Sequence, residues 1–296
     1  MSGLSLSLAL TDTVESETFE RFFAGYQQAF TLPDETEDRD GFAACLALNR
    51  GAEHARLCAE FGAFRELCAV AFDGETGAEV GGANFIAIAP DPDLPAAPVT
   101  ANLNYLYIAP EARGRGALRR FLRALSAQIG GLFGPARREV AIFIEQNDPF
   151  RMTREAYARD SAHSGMDQFD RLRIWARMDA RIVDFPYVQP PLSAEQEADD
   201  SLLYSAMGIA GPALPAALLR RHLAGFFGIS VLKGAPLSDS PAATAQLALL
   251  DAMAARGEAV ALRDPGPLLA SVGDPAALLA RADRPQDFRS ALSMLA

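Results

Sequence analysis

Between Asn104 and Leu118 the chain changes character twice. Asn104-Tyr-Leu-Tyr-Ile reads as a strand, Ala109-Pro110-Glu-Ala-Arg113-Gly-Arg-Gly116 as a turn, and the residues from Gly116 onward as a helix. In that helix Leu118, Phe121, Leu122, Leu125 and Ile129 recur every three or four residues, so one face is buried and the arginines lie outside. A helix start has backbone N–H groups with no partner inside the helix and carries partial positive charge. Gly114 and Gly116 permit positive φ and bring the backbone close to a ligand, while Arg113, Arg115 and Arg119 add charge. A strand, glycine turn and helix in this order can therefore grip a diphosphate.

The flanking sequence predicts an α/β (α+β) chain. Residues 4 to 10 alternate apolar and small polar side chains as a strand does, and Glu17 to Phe30 and Gly41 to Arg56 have helical spacing. Leu67 to Phe72, Glu79 to Ala89 and Val99 to Ile108 predict three consecutive antiparallel strands. After the central helix come a strand from Glu139 to Glu145, a helical stretch opened by Asn147-Asp148-Pro149, and a helix capped by Asp167. A strand at Arg181 to Val188, another at Leu202 to Met207 and a helix at Ala213 to Phe227 follow. Ser240-Pro241 and Asp274-Pro275 mark two later helix starts, a short strand is expected at Glu258 to Arg263 and a last helix near Phe288 to Leu295. These readings divide the chain at about residue 232, with a mainly helical extension over residues 233–296.

Composition limits the partners. The chain has 38 acidic against 27 basic side chains, a formal net charge of -11. Such a surface repels nucleic acid, and the dense basic cluster is short, from Arg113 to Arg123. The N-terminus lacks the basic flank and apolar stretch of a signal peptide, and no apolar run approaches a membrane span, so a cytoplasmic protein without membrane contact is expected. Cys45, Cys58 and Cys68 have no C-x-x-C spacing and read as buried reduced thiols. His54, His163 and His222 stand singly, so no metal is expected.

The segment ending in Arg113-Gly-Arg-Gly116-Ala117-Leu118 resembles the acyl-CoA signature of the GNAT superfamily, R-x-x-G-x-G or R-x-x-G-x-A. The element order over roughly residues 5 to 227 is similar to that fold. The resemblance implies a mixed, mostly antiparallel central sheet flanked by helices, with acetyl-CoA or another acyl-CoA as cosubstrate. Main-chain groups of Leu106, Tyr107 and Ile108 would then pair with the pantetheine arm. Amides from Gly114 to Arg119, Arg115 and Ala117 among them, would hold the phosphates, and Asn147 would bind the arm or orient the acceptor. Leu118 replaces the motif's last small residue.

The implied activity is acyl transfer to an amine of a small molecule or peptide. Glu145, at the end of the strand after the cofactor helix, is the candidate base. The family's tyrosine acid precedes a Gly-Phe pair, and here Trp175 and Asp179-Ala180 stand in those places. Indole cannot serve as that acid, so Tyr157 and Tyr187 become the candidate substitutes. The same departure supports an alternative, a non-catalytic acyl-CoA-binding or partner-binding module. Carboxylates from Asp34 to Asp40 read either as a solvated loop or as a border of the acceptor site. Residues after 232 would dock on the acceptor side, complete a homo-oligomer or cap the core.

Overall fold

The structure, a computed structural model, describes residues 6–32, 36–92, 97–136, 138–192 and 196–295. The chain forms two compact units, Met1–Ile142 with His222–Pro236, and Phe143–Arg221 with Leu237–Ala296. It passes between them inside a strand, inside a helix and again after Pro236.

In the first unit β1 (Leu6–Thr11) is followed by α1 (Glu17–Ala29), α2 (Arg39–Ala47) and α3 (Gly51–Phe61). Three long strands come next, β2 (Phe64–Asp73), β3 (Glu79–Ile88) and β4 (Val99–Ile108), then α4 (Ala117–Ile129) and the start of β5 (Val140–Asn147). Strands β1 to β4 form an antiparallel meander in which Leu6 faces Asp73, Phe64 faces Ile88 and Gly81 faces Ile108. Beside it Val99 N donates to Glu139 O at 2.9 Å, so β4 and β5 begin side by side and run the same way. The sheet is therefore mixed, though mostly antiparallel, and helices flank it.

Phe19, Phe22 and Tyr26 of α1, with Phe42 and Leu46 of α2, cover Cys68, Val70 and Tyr107 on one face of these strands. Each such side chain contributes about 1.5–3 kcal/mol on burial. Tyr107 fixes how closely α1 approaches. A Cβ at Gly25 of α1 would stand 2.3 Å from the Tyr107 hydroxyl, and one at Gly82 of β3 would stand 2.7 Å from the ring.

One helix expected over Gly41 to Arg56 is two, α2 and α3, interrupted at Leu48–Arg50. The cause is Asn49, which is 4% exposed. Its amide donates to Leu46 O and to Glu66 O, and its Oδ1 accepts from Glu66 N at 3.0 Å, so the side chain completes backbone pairing at the edge of β2. A side chain that captures backbone groups in this way competes with helix continuation. Residues 4 and 5 of the expected first strand lie outside the described residues, and the strand extends one residue further, to Thr11.

The second unit holds the rest of β5, α5 (Arg154–Ser164), α6 (Gln168–Ala176), β6 (Arg181–Val183), β7 (Leu202–Met207), β8 (Ala213–Pro215) and the start of α7 (Ala216–Phe226). It continues with α8 (Pro241–Ala255), β9 (Ala259–Arg263), α9 (Gly266–Ser271), α10 (Pro275–Ala280) and α11 (Phe288–Ser293), so helices predominate toward the C-terminus. Strand order here is β7-β6-β9-β8. Phe150, Phe169, Leu172, Ile182, Leu203 and Phe288 belong to its core.

Several expected elements are shifted in this unit. Asn147 ends β5 and no helix opens there, because Asp148 turns its carboxylate back onto Phe150 N at 2.9 Å and also accepts from Phe288 N at 2.8 Å. The helix starts only after Thr153, whose hydroxyl caps Ala156 N. Strand β6 stops at Val183 because Phe185 N and Tyr187 N bond two residues back, and Pro186 has no N–H to offer a ladder. β8 occupies the first residues of the helix expected from Ala213, and α9 had no counterpart in the sequence reading.

Replacing Gly25 by Ala should therefore drive a methyl into the Tyr107 ring and lower unfolding free energy by about 1–3 kcal/mol. Urea denaturation at constant m-value measures this, and a loss below about 0.5 kcal/mol would contradict the threading of Tyr107 between two glycines.

Candidate active site

The first unit contains the predicted anion-binding turn. A single 3-10 turn, Pro110–Ala112, leaves β4, and Gly114 and Gly116 take left-handed φ values of 78° and 69°. Gly116 is the N-cap of α4, and no side chain caps that helix start. By contrast Ser16, Asp38, Thr153, Asp167 and Ser240 each cap their helices with an oxygen. A Cβ at Gly114 or Gly116 would meet nothing within 4 Å, and residues 113 to 116 are exposed, so no side chain plugs the turn.

The basic residues divide their work. Arg113 Nε donates to Ile108 O at 3.1 Å, which ties the turn back to the last residue of β4. Arg115 and Arg119 are exposed. Arg120 Nε is buried without a hydrogen-bond partner, and its charge acts on Asp73 at the end of β2. Ala117 is buried at the first helical position, and Leu118, the residue that departs from the signature, is half-buried.

Upstream of the turn, β4 contains a bulge. Asn84 pairs with Tyr105 and Phe85 with Leu103, so Asn104 is the extra residue, without a partner on β3. Leu106, Tyr107 and Ile108 resume pairing opposite Ala83, Gly82 and Gly81.

Beneath the bulge lies a buried polar group that the sequence reading missed. Glu66 of β2 is 0% exposed. Its Oε1 accepts from Asn84 Nδ2 at 2.9 Å and Asn104 Nδ2 at 3.2 Å, and its Oε2 from Ser230 Oγ at 2.7 Å. Burial pushes its carboxyl up to about 7, with the Ser230 and Asn84 hydrogen bonds acting in the opposite direction. The signal was present in the sequence, since alternation along β2 puts Glu66 on the face of Cys68 and Val70, where a charge is out of place.

In the second unit two of the three candidate catalytic residues meet. The Tyr187 hydroxyl donates to Glu145 Oε1 across forty-two positions of sequence, and the Tyr187 ring stacks on Tyr204 with centroids 4.4 Å apart. Burial raises the Glu145 carboxyl to about 7, the Tyr187 hydrogen bond pulls it down, and the charge of Asp199 pushes it up. Tyr187 is held well above the usual phenol range, first by burial and then by the Glu145 charge, so it stays a neutral donor.

Tyr157 engages a different carboxylate. Its hydroxyl bonds Asp167, the N-cap of α6, and its ring belongs to the core with Phe169. Asn147 is half-buried at the end of β5. Trp175 is half-buried on α6, and its carbonyl accepts from Ala180 N at 3.1 Å.

Other candidates have structural partners. Of the acidic stretch, Asp34 and Glu35 lie outside the described residues, Asp38 caps α2, and Glu37 pairs with Lys233 at 2.7 Å. Cys45 and Cys68 are buried, but Cys58 is half-buried and touches His54 Nε2 at 3.3 Å, which corrects the reading of three buried thiols. Burial lowers His222 to about 3, so its ring is neutral. Among the described residues no cluster of His, Cys, Asp or Glu could hold a metal, and no helix is long and apolar enough to cross a membrane.

No protein-family description and no curated protein matches the chain. The structural neighbours are GNAT-family acetyltransferases over about 70% of the chain, at low sequence identity. One is described as histone acetyltransferase HPA2 and related acetyltransferase, from Corynebacterium glutamicum, at 18% identity over 71% of this chain and 99% of that one, with a TM-score of 0.35. NAA60 of Arabidopsis thaliana, solved with acetyl-CoA, has 12% identity over 69% of this chain and all of its own (100%), with a TM-score of 0.38. An aminoglycoside N(6')-acetyltransferase from Legionella pneumophila has 10% identity over 70% and 92%, with a TM-score of 0.35. At these values the likeness concerns the course of the backbone, and the functional reading rests on the local geometry of the turn.

Glu145 also makes a thermodynamic prediction. Its carboxyl is raised to about 7 in the fold from the ordinary 4.5, so between those values the folded state binds more protons than the unfolded one. Stability should be greatest below pH 4.5 on this account and fall as pH rises to about 7, by at most about 1.4 kcal/mol per pH unit for one proton. Glu145→Gln should flatten that part of the curve in denaturant titrations at several pH values. An unchanged slope would show that the carboxyl ionises normally.

Proposed function

We propose that the protein is an acyl-CoA-dependent N-acyltransferase, most simply transferring acetyl from acetyl-CoA to the primary amine of a small molecule or peptide. The observation that carries this reading is the exposed left-handed turn Arg113–Gly116 opening onto an uncapped helix. Uncapped amides and a partial positive charge at the start of α4 suit a diphosphate. Amides from Gly114 to Arg119 would hold it, and main-chain groups of Leu106, Tyr107 and Ile108 would take the amide-bearing arm as a strand edge takes a peptide. Asn147 would assist that arm or the acceptor.

When bound, acyl-CoA supplies an activated thioester carbonyl. The protein's own share is proton handling. An attacking ammonium must lose a proton, and Glu145, with its carboxyl raised to about 7, is suited to accept one near neutral pH. Tyr187 would give its proton to a departing thiolate only as Glu145 passes the proton taken from the amine to the Tyr187 oxygen, so that no phenolate is left, a relay that Trp175 cannot make. Tyr157, committed to Asp167, is the weaker candidate acid.

A second reading, a binding-only descendant, is favoured by Trp175 at the family's tyrosine position. Acetyl-CoA binding without thiol release over a broad amine panel would select it.

Calorimetric titration with acetyl-CoA should give saturable binding that Gly116→Val weakens at least tenfold, because a branched side chain cannot hold φ near 69°. No binding of wild type at millimolar acetyl-CoA would overturn both readings. In thiol-release assays Glu145→Gln should lower kcat by about 100-fold or more with KM for acetyl-CoA little changed. Full turnover in that variant would remove Glu145 as base.

A further inference from the structure

We propose that Glu66 is a positioning residue for acyl transfer, acting through the Asn104 amide to fix the β4 bulge that leads into the diphosphate turn. The inference rests on the acyltransferase reading, but its evidence is separate. Glu66 is remote from solvent, and among the described residues its carboxylate accepts from three donors, Asn84, Asn104 and Ser230. The amides are oriented as a series. Asn102 Nδ2 donates to Asn104 Oδ1 at 3.0 Å, Asn104 Nδ2 donates to Asn84 Oδ1 at 2.9 Å, and both Asn84 and Asn104 turn their N–H groups toward Glu66. A negative charge favours this orientation, and a neutral acid favours it less.

The series ends where the backbone departs from the ladder. Asn104 is half-buried and is the unpaired residue of the bulge, four positions before Ile108, whose carbonyl Arg113 ties to the turn. The side chain that Glu66 orients is thus the one that sets how the end of β4 leaves the sheet. Support from the opposite side is unusual as well. Ser230 lies in a π-helical turn, Phe227–Val231, that brings its hydroxyl to Glu66 Oε2 while its carbonyl accepts from Cys45 Sγ at 3.5 Å. A π turn costs helix regularity and persists where a side chain needs re-aiming. A merely apolar core would be served better by a neutral side chain here, since burying a carboxylate is expensive unless its charge is used.

The titratable groups around Glu66 are Cys45 of α2, Cys68 of β2 and, beyond Cys45, Glu37 and Lys233. Tyr105 and Tyr107 share its face from β4. Both thiols are pushed upward by burial, so Glu66 is the group in this set that changes charge near neutrality.

The test has two arms. In NMR spectra of the whole protein, side-chain amide signals of Asn84, Asn102 and Asn104 should shift together with one midpoint near pH 7, and Glu66→Gln should abolish the titration. This arm needs no acyl-CoA, so it decides the coupling even if the protein proves not to be an acyltransferase. In steady-state assays Glu66→Gln and Asn104→Ala should each raise KM for acetyl-CoA at least tenfold with kcat within threefold, and the double variant should be no worse than either alone. Asparagine signals that ignore pH, or additive losses in the double variant, would overturn the proposal.

Discussion

Two glycines of left-handed backbone, with one residue between them, decide how β4 passes into α4. With ordinary φ at Gly114 and Gly116 the strand would not reverse over so short a distance, and a side-chain cap would close the helix start as it does at Ser16, Thr153 and Asp167. The chain instead leaves the first amides of α4 uncapped. With glycine at the N-cap, that choice forfeits only about a few tenths of a kcal/mol of capping. It is intelligible if a ligand supplies the missing acceptors, which is why the turn carries more of the functional argument than the course of the backbone does.

Buried carboxyls are the second constraint. Glu66, Glu145 and Asp148 are all raised by burial, and each is held by donors placed for it: Asn84, Asn104 and Ser230 for the first, Tyr187 for the second, Phe150 N and Phe288 N for the third. The three differ in what surrounds them. Asp148 accepts main-chain amides and so organises the turn after β5 and the start of α11, a structural task. Glu66 and Glu145 are met by side chains that could be rearranged, which leaves room for a change of protonation to be felt elsewhere.

Legibility in the sequence followed the range of the interactions. The three central strands and α4 were visible because their periodicity is local, and β4 has the predicted bounds of Val99 and Ile108. Asp167 and Ser240 were readable as caps for the same reason. What escaped was set by distant partners. The break between α2 and α3 depends on Asn49 meeting Glu66 on β2, and the late start of α5 depends on Asp148 meeting Phe288 N near the end of the chain. Glu145 and Tyr187 could each be nominated from position, but their hydrogen bond could not, because the short γ-type turns that end β6 and aim Tyr187 leave no periodic mark.

The departure at Trp175 and Asp179 separates backbone from chemistry. Asp179 has a φ of 65°, a left-handed conformation in which glycine would be at ease, and the amides of Asp179 and Ala180 close the end of α6 on Ala176 O and Trp175 O. The helix therefore terminates as a glycine would terminate it, with Asp179 in the left-handed position. In the proposed reading the donor moved rather than disappeared: Tyr187, a few residues downstream in the same unit, brings a neutral hydroxyl to Glu145, so acid and base are joined in one hydrogen bond. Such a pair can take up and release a proton without leaving a second charge buried, whereas a lone tyrosine beside a departing thiolate would have to be recharged from solvent.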